Sequence, residues 1–288
     1  IQAFTSSPFY VPEITCGGFT ASGEKLPDKA GAEKIRMESD GQAASVLSVE
    51  KQAKTVQPPR LYDLTTLQRE CNRIYGYTAQ QTLDYVQSLY EKKLATYPRT
   101  DSQYLTEDMQ ATAASLVLWL RGNTPFGKGC AGEPDIGRVT DGSKVTDHHA
   151  IIPTVEIART DLSELPSGER DVLTLIAARL LSATAQVHRF EAVTAVLDCR
   201  GHSFTAKGKA VLQTGWKEVE RLHRMGLKQS KTEEKESEDA ALPPLQESQT
   251  FEKVSAGVRE GKTSPPKHYT EDSLLAAMET AGAGDMPE

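Results

Sequence analysis

Tyr97 lies in the segment Leu94-Ala-Thr-Tyr-Pro-Arg-Thr-Asp-Ser102, whose residue types suit nucleophilic attack. Pro98 forces Tyr97 toward extended geometry, so the phenol sits on a non-helical corner. Arg99 can present a planar fork to an oxyanion or a phosphate, Asp101 can orient that fork, and Thr100 and Ser102 add hydroxyls. A tyrosine becomes a covalent nucleophile when its proton is removed and the developing charge is stabilised. A free phenol titrates near about 10, so a neighbouring cation, an arginine or a metal ion, must favour the phenolate. The competing reading has Tyr97 packed under a loop and Arg99 with Asp101 as a surface ion pair, an arrangement worth little energetically.

A second segment, Asp147-His-His-Ala-Ile-Ile-Pro-Thr154, places two histidines beside a carboxylate. Neighbours on a strand point to opposite faces, which argues against both histidines sharing one metal ion. One of them can contact a phosphate or carry a proton near neutral pH. The competing reading is a structural histidine near a strand start.

The elements that must position these residues fall in the order strands, helices, strands. Residues 1–58 mix short extended runs with Gly and Pro, a short helix over Lys29 to Met37, and a strand over Val46 to Val56. Pro58-Pro59 marks a boundary. Thr65-x-x-Gln68 and Thr78-x-x-Gln81 fit the capping box and predict two helices joined by a tight turn at Gly76-Tyr77. Thr106 is the expected cap of a helix to about Arg121 with Met109, Leu116, Leu118 and Leu120 on its apolar face. A Gly-rich loop follows, then a core helix over Glu169 to Val187. Phe190 to Cys199 and His202 to Lys207 read as a hairpin about Arg200-Gly201, Phe251 to Arg259 as one further strand, and Thr270 as the start of a last helix. The simplest architecture is α+β, a helical domain (59–188) inserted in a β-rich one (1–58 and 189–264), with 265–288 opening a following helical domain.

Composition narrows the function classes. The chain has 288 residues and a formal charge of −7, against the basic surplus of a simple nucleic-acid binder, so contact with DNA must rest on a local site. Part of the acidity sits in Lys228 to Ser248, which reads as a solvated linker. The four cysteines are scattered with no CxxC pair, which argues against a zinc site and a disulfide framework and favours free thiols in a reducing cytosol. No apolar run is long enough to span a membrane. The start lacks Met and a signal layout and the end stops in polar residues, so the expectation is a segment of a longer polypeptide.

Taken together, the two chemical segments resemble the type IA DNA topoisomerases. Tyr97-Pro-Arg-Thr-Asp-Ser102 resembles that family's active-site tyrosine motif, and His148-His-Ala-Ile-Ile-Pro153 its histidine motif, about fifty residues downstream. Pro58-Pro-Arg-Leu-Tyr-Asp-Leu-Thr-Thr-Leu-Gln68 with Asn72 to Leu83 resembles the entry to its helical domain, and Pro265-Pro-Lys-His-Tyr-Thr-Glu271 the start of the next. The Pro after Tyr97 and the HHAIIP wording are more similar to topoisomerase III than to topoisomerase I, where HEAIRP is usual.

The resemblance implies a winged-helix-like tyrosine domain inserted in the β-rich arch of a ring around DNA. It implies Tyr97 as nucleophile, joined transiently to a 5′ phosphate of single-stranded DNA, with ATP-independent relaxation or decatenation as the outcome. Arg99 and His148 would be catalytic, with His149 the lesser choice, and Arg99, Asp101, Ser102 and His148 would contact DNA. Mg²⁺ is expected on the acidic residues of an N-terminal Toprim domain that nothing in Ile1 to Pro58 resembles, so this chain alone is expected to bind strands weakly and not to cleave. The remaining domains of the polypeptide, DNA and a helicase are the implied partners, and the cytoplasm the implied location. A non-catalytic DNA-binding module on the pair Thr65 to Tyr90 is the alternative, although Thr78 to Glu91 carries no Arg or Lys. A tyrosine recombinase would need its Tyr near the C-terminal end.

Overall fold

The computed structural model describes residues 4–228 and 242–281. The chain divides into two compact units. The first holds the described residues through Thr55, Arg189–Gln213, and the described residues from 242 through Lys267. It is built on seven strands: β1 (Pro8–Cys16), β2 (Phe19–Ser22), β3 (Ala44–Val56), β4 (His188–Cys199), β5 (His202–Gln213), β6 (Thr250–Phe251) and β7 (Ser255–Lys262). They form one sheet in the order β6-β3-β4-β5-β2-β1-β7, with helix α1 (Lys29–Ser39) between β2 and β3 in the chain. The β4–β5 hairpin closes where the reading put it, because Arg200 (φ 58°) and Gly201 (φ 83°) both take left-handed backbone. Alternate residues Ala195, Leu197 and Cys199, with Phe204 and Ala206 opposite, are buried with Ile14, Phe19 and Val46, the period-two burial of a sheet with one covered face.

The single strand expected over Phe251 to Arg259 is instead two. Val254 turns inward to 1 % exposure and exchanges backbone hydrogen bonds with Gly41 and Gln42. The break sends β6 to β3 at one edge of the sheet and β7 to β1 at the other.

The second unit comprises Val56–His188, the described residues from Thr214 through 228, and the described residues from His268. Its helices are α2 (Leu64–Tyr75), α3 (Ala79–Glu91), α4 (Gln110–Asn123), α5 (Ser167–Thr184), α6 (Trp216–Lys228) and α7 (Glu271–Thr280). Helix α5 is the axis of this core: Val172, Leu173, Leu175, Ile176, Ala177, Ala178, Leu180 and Leu181 are all buried, as expected of a helix apolar around most of its circumference. Gly168 lets it approach α3, since a Cβ there would lie 2.3 Å from the Tyr85 ring.

Several local readings are corrected. Asp63, not Thr65, caps α2, its carboxylate accepting the Thr66 N–H at 2.7 Å. Thr106 makes no side-chain cap, and a 3₁₀ turn over Glu107–Met109 precedes α4. Leu118 points outward at 73 % exposure while Ala113, Leu116, Val117 and Leu120 face the core. Helix α6 was not anticipated, and α7 joins this unit, Arg69 on α2 bonding Asp272 at 3.0 Å and Glu279 at 2.9 Å. The expected linker over Lys228 to Ser248 lies mostly outside the described residues. No described helix is long and apolar enough to cross a membrane.

Candidate active site

The tyrosine segment leaves α3 through Lys93, in left-handed backbone at φ 62°, and then runs extended against the histidine segment. The Thr154 N–H donates to the Leu94 carbonyl and the Thr96 N–H to the Ile152 carbonyl, both at 3.0 Å, and Ala95 bridges Pro153. The Thr96 hydroxyl donates to the Ala150 carbonyl at 3.1 Å and accepts the Ile152 N–H at 3.0 Å. Thr100, 8 % exposed, donates its hydroxyl to the His148 carbonyl at 2.7 Å. Backbone and hydroxyl bonds therefore pin two segments some fifty residues apart into one ribbon.

The ribbon brings Tyr97 and His148 into ring contact, with centroids 4.4 Å apart and planes tilted by 45°. On another side Tyr90 meets Tyr97 edge-on at 5.3 Å. Tyr97 is half-buried, Pro98 beside it is buried, and Arg99 and His148 are exposed. Arg99 forms no ion pair among the described residues, so its fork is open to an anion. Asp101 faces Thr146, whose hydroxyl lies 3.4 Å from its carboxylate, rather than Arg99. His149 is half-buried and turned to the backbone, with Nδ1 2.9 Å from the Ala150 carbonyl.

Ser102 is 4 % exposed and its hydroxyl is used within the protein, donating to the Lys144 carbonyl at 2.9 Å and accepting the Tyr104 N–H at 3.2 Å. It ties the loop together and offers no free hydroxyl to a strand in this conformation. Thr96, Lys144 and Thr146 also hold the site, and the sequence carried no spacing signal for them. The described residues contain no group of three His, Cys, Asp or Glu side chains placed to hold a metal ion.

The DNA topoisomerase family model matches residues 1–285. The chain belongs to the type IA DNA topoisomerases. It is 34 % identical to a DNA topoisomerase 3 of Bacillus subtilis, over 98 % of this chain and 40 % of that protein. It is 32 % identical to a DNA topoisomerase 3 of Staphylococcus saprophyticus, over 97 % of this chain and 38 % of that protein. The chain thus spans about two fifths of the length of these curated relatives. In fold it is similar to full-length topoisomerase I from Thermotoga maritima, with a TM-score of 0.73 at 23 % identity, covering 98 % of this chain and 45 % of that one.

Proposed function

We propose that this chain carries the nucleophile of a type IA topoisomerase, Tyr97, which breaks one DNA strand by transesterification. The phenol gives up its proton as its oxygen bonds to phosphorus, the bond from phosphorus to the 3′ oxygen breaks, and that leaving oxygen takes up one proton to become a hydroxyl. The 5′ phosphate stays on Tyr97 until that hydroxyl attacks it in reverse, so no nucleotide is hydrolysed. Arg99 stabilises the charge developing on the phosphate, and His148, against the Tyr97 ring, is the second group at the reacting centre. The observation that carries this reading is the ring contact of His148 with Tyr97, two residues before Arg99, which has no ion pair among the described residues.

The described residues do not fit a Mg²⁺ site. The family resemblance implies Mg²⁺ on acidic groups elsewhere in the polypeptide. Cleavage by this chain alone is therefore not expected, and an arch around DNA, a helicase partner and a cytoplasmic location rest on the family resemblance. The binding-module alternative gains nothing from α3, whose residues Ala79–Glu91 include no Arg or Lys.

The test places the chain in its complete polypeptide, adds end-labelled single-stranded DNA and Mg²⁺, and resolves denatured adducts on a gel. Tyr97→Phe is expected to abolish the adduct, and Arg99→Ala to lower its rate by about 10²–10³-fold. An adduct that survives Tyr97→Phe sinks the assignment.

A further inference from the structure

Beside the tyrosine ribbon, within the helical unit, lies a cavity of about 220 Å³ whose walls include Pro58, Pro59, Arg60, Gln103, Tyr104 and Arg138. It far exceeds the roughly 30 Å³ share of one water and falls short of the roughly 300–1,000 Å³ of a cleft for a drug-sized ligand. That size suits one flat ring. Its chemistry is two-sided: two prolines and the Tyr104 ring supply apolar walls, and no carboxylate lines it. Arg138 is occupied, bonding Asp135 at 3.0 Å and the Ala185 carbonyl at 2.6 Å. Arg60 is exposed and forms no ion pair among the described residues, with its guanidinium 5.4 Å from the Tyr104 ring centroid. The Lys144 ammonium lies 4.5 Å from the same centroid and is paired with Asp141 at 2.7 Å.

The walls are held firmly. The Gln103 amide donates to Asp63 at 2.8 Å, and the Tyr104 carbonyl accepts the Ala150 N–H at 2.9 Å. The Ser102 hydroxyl ties the Tyr104 backbone to Lys144. Tyr104 therefore sits on the same framework that sets Tyr97 against His148.

We propose that this cavity takes one unstacked base of a single DNA strand, with Tyr104 as the stacking face and Arg60 as the partner of the adjoining phosphate. A slot walled by two prolines and an aromatic ring, with the exposed Arg60 guanidinium near that ring, matches a nucleotide, which joins a flat ring to an anion. A base within a duplex keeps its faces stacked and cannot enter. Holding a base here fixes which phosphate reaches Tyr97. That last consequence rests on the reading of Tyr97 as nucleophile; the base site does not.

The experiment measures binding of the full 288-residue chain to a fluorescein-labelled oligothymidylate by anisotropy. Tyr104→Ala is expected to weaken binding about fivefold or more, and Tyr104→Phe to restore it. Arg60→Gln, on an exposed side chain, is expected to weaken binding and to flatten the log–log salt dependence by about 0.7, and it carries the test if Tyr104→Ala does not fold. A 5-iododeoxyuridine oligonucleotide is expected to photocrosslink to Tyr104. Wild-type affinity in both Tyr104→Ala and Arg60→Gln, crosslinking only elsewhere, or no strand binding by the wild type overturns the site. If Tyr97→Phe still forms an adduct while affinity depends on Tyr104, the nucleophile reading falls and the base site stands.

Discussion

Thr100 stands between the two chemical segments, giving its hydroxyl proton to the His148 carbonyl and accepting the Ser102 N–H at 3.1 Å. Thr100→Val keeps the shape and removes both bonds. It is expected to cost about 1–3 kcal/mol in urea denaturation and to lower adduct yield in the complete polypeptide while strand affinity persists. Unchanged yield would mean that the ribbon holds His148 without it. His223 is a second residue with a measurable signature. Burial, and secondarily Arg224, pushes its imidazole down to about 4, and its Nε2 has no hydrogen-bond partner among the described residues. Glu70, Arg179, Glu220 and Arg224 line the same small cleft. The unfolded chain takes up this proton near pH 6.5 and the folded one only near 4, so stability is full above 6.5 and declines as pH falls between those values. The loss from pH 7 to pH 5 should be about 2 kcal/mol, and His223→Leu should flatten that slope. The types and spacing of Tyr97, Arg99 and His148 were legible through the resemblance. The hydroxyls that seat them were not, because the worth of Thr96 or Thr100 depends on which distant strand lies beside it.

Elements were legible where a local signal decides them. The Thr78 box forms as written, Thr78 accepting the Gln81 N–H at 3.1 Å and the Gln81 side chain accepting the Thr78 N–H at 2.9 Å. Thr65 shows the limit of such a motif, because Asp63 two residues earlier offers a carboxylate to the same helix start. Helix α6 was not legible because Trp216, Val219 and His223 are spaced among charges next to the acidic tract, and its apolar face is explained only by the core it covers. Its entry depends on Gly215 at φ 55°, where a Cβ would fall 2.1 Å from the Val187 carbonyl oxygen. Gly215→Ala should destabilise the helical unit by more than about 2 kcal/mol, read as a lowered urea midpoint. Wild-type stability would mean that the turn into α6 can reorganise.

For the molecule as a whole, the charge of −7 and the candidate DNA contacts point in opposite directions. Arg99 and Arg60 are the cations that the two candidate sites offer to a strand, so those sites should contribute a log–log salt slope of about −1 to −2. A slope near −5 would instead indicate a broad basic footprint. The strands-helices-strands order was legible from punctuation and periodicity. The path of the sheet was not, because Phe251 and Ser255, with only three residues between them, belong to its opposite edges.

The pairing of β1 with β7 joins Pro8 to Lys262, so residues far apart in the sequence lie on neighbouring strands. During synthesis, β1 must wait until the residues through Lys262 have emerged before it gains that neighbour. The core around α5 draws chiefly on residues from Leu61 to Val219 and can assemble earlier. Pairings of such long sequence separation form slowly, leaving β1 with an unpaired backbone edge in the meantime. A ribosome-bound chain should therefore gain protease resistance in the helical segment first and in the sheet only after β7 has left the exit tunnel.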